Sequence, residues 1–183
     1  MPKIIGGVAG VIVLAAAVVI AIAATKPDRF QVTRSIDIAA PPEAIYVHID
    51  DFPSWRAWSP FEKADPEMAR QYGGPASGPG ASYAWESKKV GTGRMEIVKV
   101  EAARLVEIRL DFIKPFTTTN TATFTMAPDG DRTRVTWTMA GPNSFVSKLM
   151  SVFFSMDAMI GKDFEAGLSD LKAISEKPAK SAE

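Results

Sequence analysis

Apolar and polar residues alternate along much of the chain between residues 30 and 139, which is typical of β-strands with one buried face. The first alternating segment is Phe30–Ile38. After Glu67, turns rich in glycine and proline separate further segments at intervals of roughly ten to fifteen residues. We therefore predict about six more antiparallel strands: one near Met68–Tyr72, and others at Ser82–Ser87, Arg94–Glu101, Leu105–Ile113, Thr117–Met126 and Arg132–Met139.

Helical spacing replaces this alternation in two regions. Pro42, Ile45 and Ile49 predict a short helix after the first strand, and Pro53 and Pro60 limit that region to two short helices. A longer helix is predicted over Phe145–Ser175. Its apolar stripe is spaced for packing on a sheet and comprises Leu149, Phe153, Met156, Ile160, Phe164, Leu168 and Leu171.

The first part of the chain reads as a membrane segment. Ile4–Ala24 is an unbroken run of 21 uncharged residues, and a helix of that length spans roughly 30 Å, the thickness of a bilayer core. A cleaved signal peptide is the alternative, because Ala21-Ile22-Ala23 resembles a cleavage site, but the hydrophobic region of such peptides is usually shorter. We expect a single-pass anchor; the sequence leaves its orientation and its cleavage open.

This division gives four parts of the chain. We expect the anchor at residues 1–25, a linker at 26–29, one domain at 30–175 and a disordered polar tail at 176–183.

Composition excludes several classes of function. Lysine plus arginine and aspartate plus glutamate number 21 each, so no basic surplus indicates a nucleic-acid partner. The chain has no cysteine and one histidine, His48, which excludes disulfides and thiolate sites. We expect no metal and no cofactor. His48 is interpreted as a solvated residue near a helix end rather than as a catalytic base.

Four segments resemble a known family: "RSIDIAAPPEAIYVHIDDFPSWRAWSPF", "YGGPASGPGASYAWES", "FIKPF" and "MDAMIGKDFEAGLSDLK". They resemble the polyketide cyclase-like branch of the START-like (SRPBCC) superfamily, in its membrane-anchored bacterial members. The resemblance covers Phe30 to about Ser175. It implies an α+β helix-grip fold, in which a curved antiparallel sheet of six to seven strands wraps a long carboxy-terminal helix over a hydrophobic cavity. It implies no particular reaction.

The residues expected to line that cavity are mostly aromatic and aliphatic, a set that builds either a core or an apolar pocket. In the segment Phe52–Phe61 we expect Trp55 to close the core and Trp58 and Phe61 to approach the cavity. Phe116 belongs to a hairpin tip for which we consider three roles: a lid on the cavity mouth, a loop that dips into lipid headgroups, or a sheet end packed on the Trp-rich segment. The predicted ligand-binding residues are Trp58, Phe61, Tyr83, Trp85, Met95, Phe112, Phe116, Phe124, Trp137, Phe153, Met156, Asp157 and Ile160.

Asp157 is the weak candidate for catalysis. At helical spacing it falls near the middle of the stripe formed by Phe153, Met156 and Ile160, so its carboxylate is expected to face the cavity. Such a group could serve as an acid or base. The alternative is a structural carboxylate held by a tyrosine, a backbone amide or an arginine of the sheet.

Three functions follow. The preferred one is a membrane-anchored binding module for a lipid-like or polycyclic hydrophobic molecule. A cyclase- or aromatase-like enzyme using Asp157 is the second, although it lacks a second convincing titratable partner. A structural or interaction protein with a filled cavity is the third. Cavity volume discriminates among them: without a pocket beyond about 300 Å³, both the binding module and the enzyme fail as interpretations. The ligand, the oligomeric state and any protein partner stay open.

Overall fold

A computed structural model describes residues 2–177, without the side chains of residues 2–12 and of Met156. Its centre is one antiparallel sheet of seven strands in the order β1-β7-β6-β5-β4-β3-β2. The strands are β1 (Arg29–Ile38), β2 (Ala69–Gly73), β3 (Ser82–Ser87), β4 (Gly91–Glu101), β5 (Leu105–Lys114), β6 (Thr118–Asp129) and β7 (Arg132–Pro142). The predicted strands are confirmed, with boundaries that differ by at most three residues.

Alternation decides which face of this sheet is covered. Val106 and Ile108 of β5 point the same way as Phe124 of β6 and Trp137 of β7, and all four are buried. The intervening positions are mostly charged residues and threonines. The sheet therefore has one apolar face, and the helices pack on that face.

Three short helical segments, not two, connect β1 to β2. They are α2 (Pro42–Ile49), a 3₁₀ helix (Phe52–Ala57) and α3 (Pro60–Ala64). Prolines lie in the first turn of each one, where the missing N–H has no cost. Because each segment restarts at a proline, the chain can turn sharply and place Phe52 and Trp55 in the core.

The prediction of one helix over Phe145–Ser175 is wrong. The chain forms α4 (Phe145–Met150) and α5 (Met156–Ser175), which are separated by turns. Ser144 and Ser155 cap the two helices, because their hydroxyl oxygens accept hydrogen bonds from the backbone N–H groups of Ser147 and Ala158. Because α5 begins only after Ser155, Phe153 lies outside this helix and its apolar stripe. The side chain of Phe153 is 65% exposed.

The predicted anchor falls on α1 (Pro2–Ala24). The side chains of residues 2–12 lie outside what the structure describes, so only the later side chains of the run Ile4–Ala24 are described. Among the described residues, no helix combines the length and the apolar character that crossing a membrane requires. The membrane anchor stays a prediction. The predicted tail at 176–183 likewise lies almost wholly outside the described residues.

Helix α5 is held close to the sheet by two glycines. A Cβ atom on Gly161 would lie 1.9 Å from Nη2 of Arg34, and one on Gly167 would lie 2.8 Å from Cδ of Pro60 and 3.0 Å from Cζ3 of Trp137. These distances leave no room for a methyl group unless a neighbour moves. Small residues at these points therefore set the distance between α5 and the elements beneath it.

Replacing Gly167 with alanine tests this close approach. Helix propensity alone would stabilise the fold by about 1 kcal/mol, whereas overpacking against the rigid Pro60 ring costs roughly 1–3 kcal/mol. We expect Gly167→Ala to lower the free energy of unfolding by about 1 kcal/mol in urea denaturation. Ala166→Gly, at an exposed position of the same helix, is the control for propensity. A gain in stability from Gly167→Ala would contradict the packing argument.

Candidate ligand-binding site

An apolar cavity of about 170 Å³ lies between the concave face of the sheet, the start of α5 and the segment formed by the 3₁₀ helix and α3. Seven predicted residues line it: Phe61, Tyr83, Trp85, Met95, Phe112, Trp137 and Ile160. The other lining residues are Trp55, Ser59, Glu62, Met68, Val90, Ile108, Leu110, Ala122, Met139 and Phe164. Most of the wall thus comes from the apolar strand positions that alternation identifies.

The volume limits what the cavity can hold. At about 170 Å³ this apolar cavity does not reach the roughly 300 Å³ set above for a binding module or an enzyme, so it does not support a drug-sized ligand. It is close to the size of a cavity of about 150 Å³ that accepts benzene, which restricts any ligand to that smaller class. A second hollow of about 380 Å³, lined by residues of β2, β3 and β4 such as Arg94 and Glu96, has polar walls. The first cavity is therefore the candidate site for a hydrophobic molecule.

Other predicted binding residues lie away from this cavity. Trp58 and Phe124 are completely buried in the core, where their rings meet edge to face with centroids 5.9 Å apart. Phe116, at the turn between β5 and β6, is 73% exposed, and Phe153 precedes α5 on the surface. The side chain of Met156 lies outside the described residues. Trp58, Phe124, Phe116 and Phe153 do not line the cavity, so the structure does not support their predicted contact with a ligand.

The expected roles of Trp55 and Trp58 are reversed. Trp58 Nε1 donates a hydrogen bond to the carbonyl oxygen of His48 at 3.0 Å, and Trp55 Nε1 donates one to that of Ile49 at 3.0 Å. Both indoles are therefore held against the end of α2, with Trp58 the more deeply placed of the two and Trp55 in the cavity wall. Which ring reaches the cavity depends on the turn geometry of the 3₁₀ helix, which periodicity does not reveal.

The expectation that Asp157 faces the cavity is wrong. Its side chain is 59% exposed, and both carboxylate oxygens accept hydrogen bonds from the Arg34 guanidinium at 3.0 Å. Arg34 Nε also donates to Glu165 Oε1 at 2.6 Å. The hydrogen bond from Arg34 lowers the pKa of Asp157. This is the alternative role, a carboxylate held by an arginine of the sheet, and it joins β1 to α5 instead of serving the cavity.

The charged group that does border the cavity is Glu62 of α3, whose side chain is only 3% exposed. Its Oε2 accepts a hydrogen bond from Arg70 Nε at 2.8 Å, and its Oε1 accepts one from the hydroxyl group of Tyr83. Arg70 also donates to the carbonyl oxygen of Met68 at 2.7 Å. A buried carboxylate is costly unless it is paired and hydrogen-bonded. Here both oxygens of Glu62 have donors.

Tyr83 is a neutral donor in this network. Burial raises the pKa of its hydroxyl, and the hydrogen bond to Glu62 raises it further. Tyr72 stacks on the same ring at a centroid distance of 5.0 Å, and burial also raises its pKa. Because Tyr83 keeps its proton at neutral pH and Glu62 already has two donors, neither group is free to abstract a proton from a molecule in the cavity.

The mouth of the cavity is marked by lining residues that are partly exposed: Phe61, Val90, Phe112 and Ile160. Deeper in the wall, Trp137 stacks on Phe164 with centroids 3.9 Å apart and ring planes 7° apart. Trp137 Nε1 is enclosed by protein and has no hydrogen-bond partner among the described residues. A molecule in the cavity therefore meets the face or edge of this ring and not its N–H group.

Glu62, Arg70 and Ser59 were not identified from the sequence. Glu62 lies in a helix of five residues and Arg70 lies in β2, so no periodicity within a single element relates them. The one sequence feature that could have indicated Glu62 is the charged "FEK" stretch directly after the Trp-rich segment. Such a stretch is equally typical of a solvated surface. Among the described residues, no group of three or more histidines, aspartates or glutamates could hold a metal ion.

Solved structures with this fold share little sequence with the chain. Protein CV1439 from Chromobacterium violaceum matches with a TM-score of 0.58 and 14% identity, over 84% of this chain and 100% of that one. The Aha1 dimer from Colwellia psychrerythraea matches with a TM-score of 0.56 and 15% identity, over 80% and 96%. DynU16, a putative protein in the dynemicin biosynthetic locus, matches with a TM-score of 0.59 and 14% identity, over 83% of this chain and 48% of that one. At these identities the likeness shows the fold alone.

A search of curated proteins gives no match. The family model described as "Polyketide cyclase / dehydrase and lipid transport" matches residues 29–176, which is nearly the whole of the sheet and the helices packed on it. The predicted resemblance to the START-like superfamily is thereby confirmed, and the chain belongs to the polyketide cyclase/dehydrase and lipid transport family.

Proposed function

We propose that this protein binds a hydrophobic small molecule, or the apolar part of a larger one, in the cavity between the sheet and α5. The observation that carries the proposal is a cavity with almost entirely apolar walls beside a fully paired carboxylate. Removing apolar surface from water drives such binding at about 25 cal/mol per Å². We further propose that α1 anchors the protein in a membrane, on the strength of the run Ile4–Ala24.

The volume narrows the class of ligand. A cavity of about 170 Å³ holds a single ring or a short stretch of acyl chain, since a comparable cavity of about 150 Å³ binds benzene. A polycyclic or complete lipid molecule would need Phe61 and Phe112, at the mouth, to move apart. The lipid-like and polycyclic ligands expected from the sequence therefore fit only in part.

A cyclase-like enzyme is the second candidate, because the family description names both enzymes and lipid transport. The described groups argue against it. Asp157 is paired with Arg34 at the surface, Glu62 accepts from two donors, and Tyr83 is a neutral phenol. General acid–base catalysis needs a titratable group within hydrogen-bond reach of the reacting atom. Binding without chemistry is the better-supported function.

Benzene is a probe of the right size for the cavity. At a concentration tenfold above its dissociation constant, a molecule that binds only the folded state stabilises it by about 1.4 kcal/mol. We expect benzene to raise the melting temperature of the wild-type protein. Leu110→Trp, which adds volume at the cavity wall, should abolish the increase. A matched control is Val98→Trp, at an exposed strand position outside the cavity, which should retain it.

Two results would contradict the proposal. The first is that neither benzene nor a longer hydrocarbon such as decane changes the melting temperature of the wild-type protein. In that case the cavity binds no such molecule, and the structural or interaction role is favoured instead. If Leu110→Trp responds to benzene as strongly as Val98→Trp does, the molecule binds elsewhere on the protein.

Tyr83→Phe tests the role of the buried network. Removing the hydroxyl leaves Glu62 with one donor fewer, and we expect a loss of about 1–3 kcal/mol in the free energy of unfolding at neutral pH. Benzene binding should persist, because the hydroxyl is not needed to hold an apolar molecule. Loss of benzene binding in a variant that remains folded would contradict this assignment.

The same variant has a predicted pH dependence. Because the pKa of Tyr83 is raised in the folded state, the unfolded protein loses this proton first, and stability falls as the pH rises above about 10. In Tyr83→Phe that contribution is absent, so its stability should fall less steeply between neutral and alkaline pH. Tyr46→Phe should flatten the curve as well, since burial raises the pKa of Tyr46 to about 12 outside this network. Parallel curves for wild type and Tyr83→Phe would contradict the assignment.

A further inference from the structure

One end of the domain gathers several features that the binding proposal does not use. Strand β1 begins at Arg29, which pairs with Pro142 at the end of β7, and β6 begins beside the end of β5, where Thr118 pairs with Phe112. The end of α1, the start of α4 and the turn between β5 and β6 therefore lie at the same end of the sheet. Val90, just before β4, lies there too.

The cavity opens toward this end. Val90 and Phe112 lie at the ends of their strands, Ile160 lies in the first turns of α5, and all three are partly exposed residues of the cavity wall. The opposite end of the sheet carries the turns at residues 102–104 and 130–131. A molecule that enters the cavity thus passes the end at which α1 joins the domain.

Large apolar side chains are exposed at this end. We call them the apolar rim: Phe116, Phe145, Val146, Phe153, Phe154 and Met159, each more than half exposed. Single exposed apolar residues are ordinary, but a concentration of them at one place marks an interaction surface. Four of the six are phenylalanines, which suit the boundary between water and hydrocarbon.

Charge near the rim favours an anionic partner. Arg29, Lys88, Lys89 and Lys114 are exposed at the same end of the sheet. Of the carboxylates at this end, Asp28 is paired with Lys148 and Asp157 with Arg34, whereas Glu86 at the end of β3 is exposed and offsets one of these four positive charges. Exposed lysines and arginines close to an anionic membrane surface are attracted to its headgroups.

Continuity with α1 identifies the occupant. Ala23 is buried where α1 contacts α4, and Asn143, just before α4, donates hydrogen bonds to the carbonyl oxygens of Pro27 and Asp28. The described part of α1 exposes Val13, Leu14, Val18, Ile20 and Ile22 to its surroundings. If a bilayer holds this apolar helix, the rim lies directly at the membrane surface. A protein partner for the rim would not explain why the apolar helix lies beside it.

We propose that this end of the domain docks on the surface of a lipid bilayer with anionic headgroups. The apolar rim enters the headgroup region to a depth of roughly 5–10 Å, the basic residues meet the headgroups, and the cavity mouth faces the lipid. Docking does not depend on a ligand, but the choice of a bilayer as the partner rests on the proposed anchoring of α1. The consequence that a hydrophobic molecule passes between bilayer and cavity rests on the proposed function.

The absence of cysteine from the chain allows a direct test. Phe116→Cys and Phe153→Cys, each in the full chain, are labelled with an environment-sensitive fluorophore and reconstituted in vesicles of equal parts phosphatidylcholine and phosphatidylglycerol. Ala102→Cys is the matched control, because Ala102 is exposed in the turn between β4 and β5 at the opposite end. The quencher is a lipid that carries a spin label close to its headgroup. We expect it to quench most of the fluorescence of the labels at positions 116 and 153 and little of the fluorescence at position 102.

Several outcomes would overturn the proposal. Equal quenching of the three labels would show that the rim has no preferred contact with lipid. Quenching that is as strong in pure phosphatidylcholine vesicles would refute the part played by the basic residues. If Phe116→Cys crosslinks to a second copy while its label stays unquenched, another protein molecule covers the rim. Benzene binding by the same variants separates the two proposals, since it should persist whether or not the rim docks.

Discussion

The stack of Trp137 on Phe164 joins the sheet to its covering helix, and much of the structure depends on it. Their centroids are 3.9 Å apart, and Gly167, one turn later on α5, leaves space for the edge of the Trp137 ring. One helix cannot cover the concave face of seven strands. The remaining area is covered by the 3₁₀ helix and α3, whose prolines turn the chain back over the sheet. The cavity is the space that these two coverings leave between them.

The polar groups around that space are used for structure. Glu62 holds α3 to the sheet through Arg70 and Tyr83, and Arg34 holds α5 to β1 through Asp157 and Glu165. In both places a charge is paired with partners from another element; the buried Glu62 carboxylate requires such pairing, whereas Asp157 and Glu165 are mostly exposed. The effect is that the cavity keeps apolar walls even though carboxylates lie close to it. Such a cavity suits a hydrocarbon or an aromatic ring better than a reaction.

The features at the mouth extend this interpretation to the surroundings of the protein. Its apolar rim, its exposed lysines and the end of α1 share one end of the sheet because antiparallel strands bring the start of β1 beside the end of β7. A protein that takes hydrophobic molecules from water alone would gain nothing from exposed phenylalanines there. Under the proposed docking on a bilayer, these residues and the cavity mouth would lie on one path between the lipid and the cavity.

The sequence by itself determined the strands, their inward residues and the family. Alternation is a local property, since successive strand side chains point to opposite faces, so Tyr83, Met95 and Trp137 could be assigned to the concave face. The tertiary structure decided the rest. It ended the expected long helix at a serine cap, exchanged the places of Trp55 and Trp58, and put Asp157 at the surface and Glu62 at the cavity. These outcomes depend on which distant residue pairs with a charge or fills a space, and no spacing along the chain encodes such a contact.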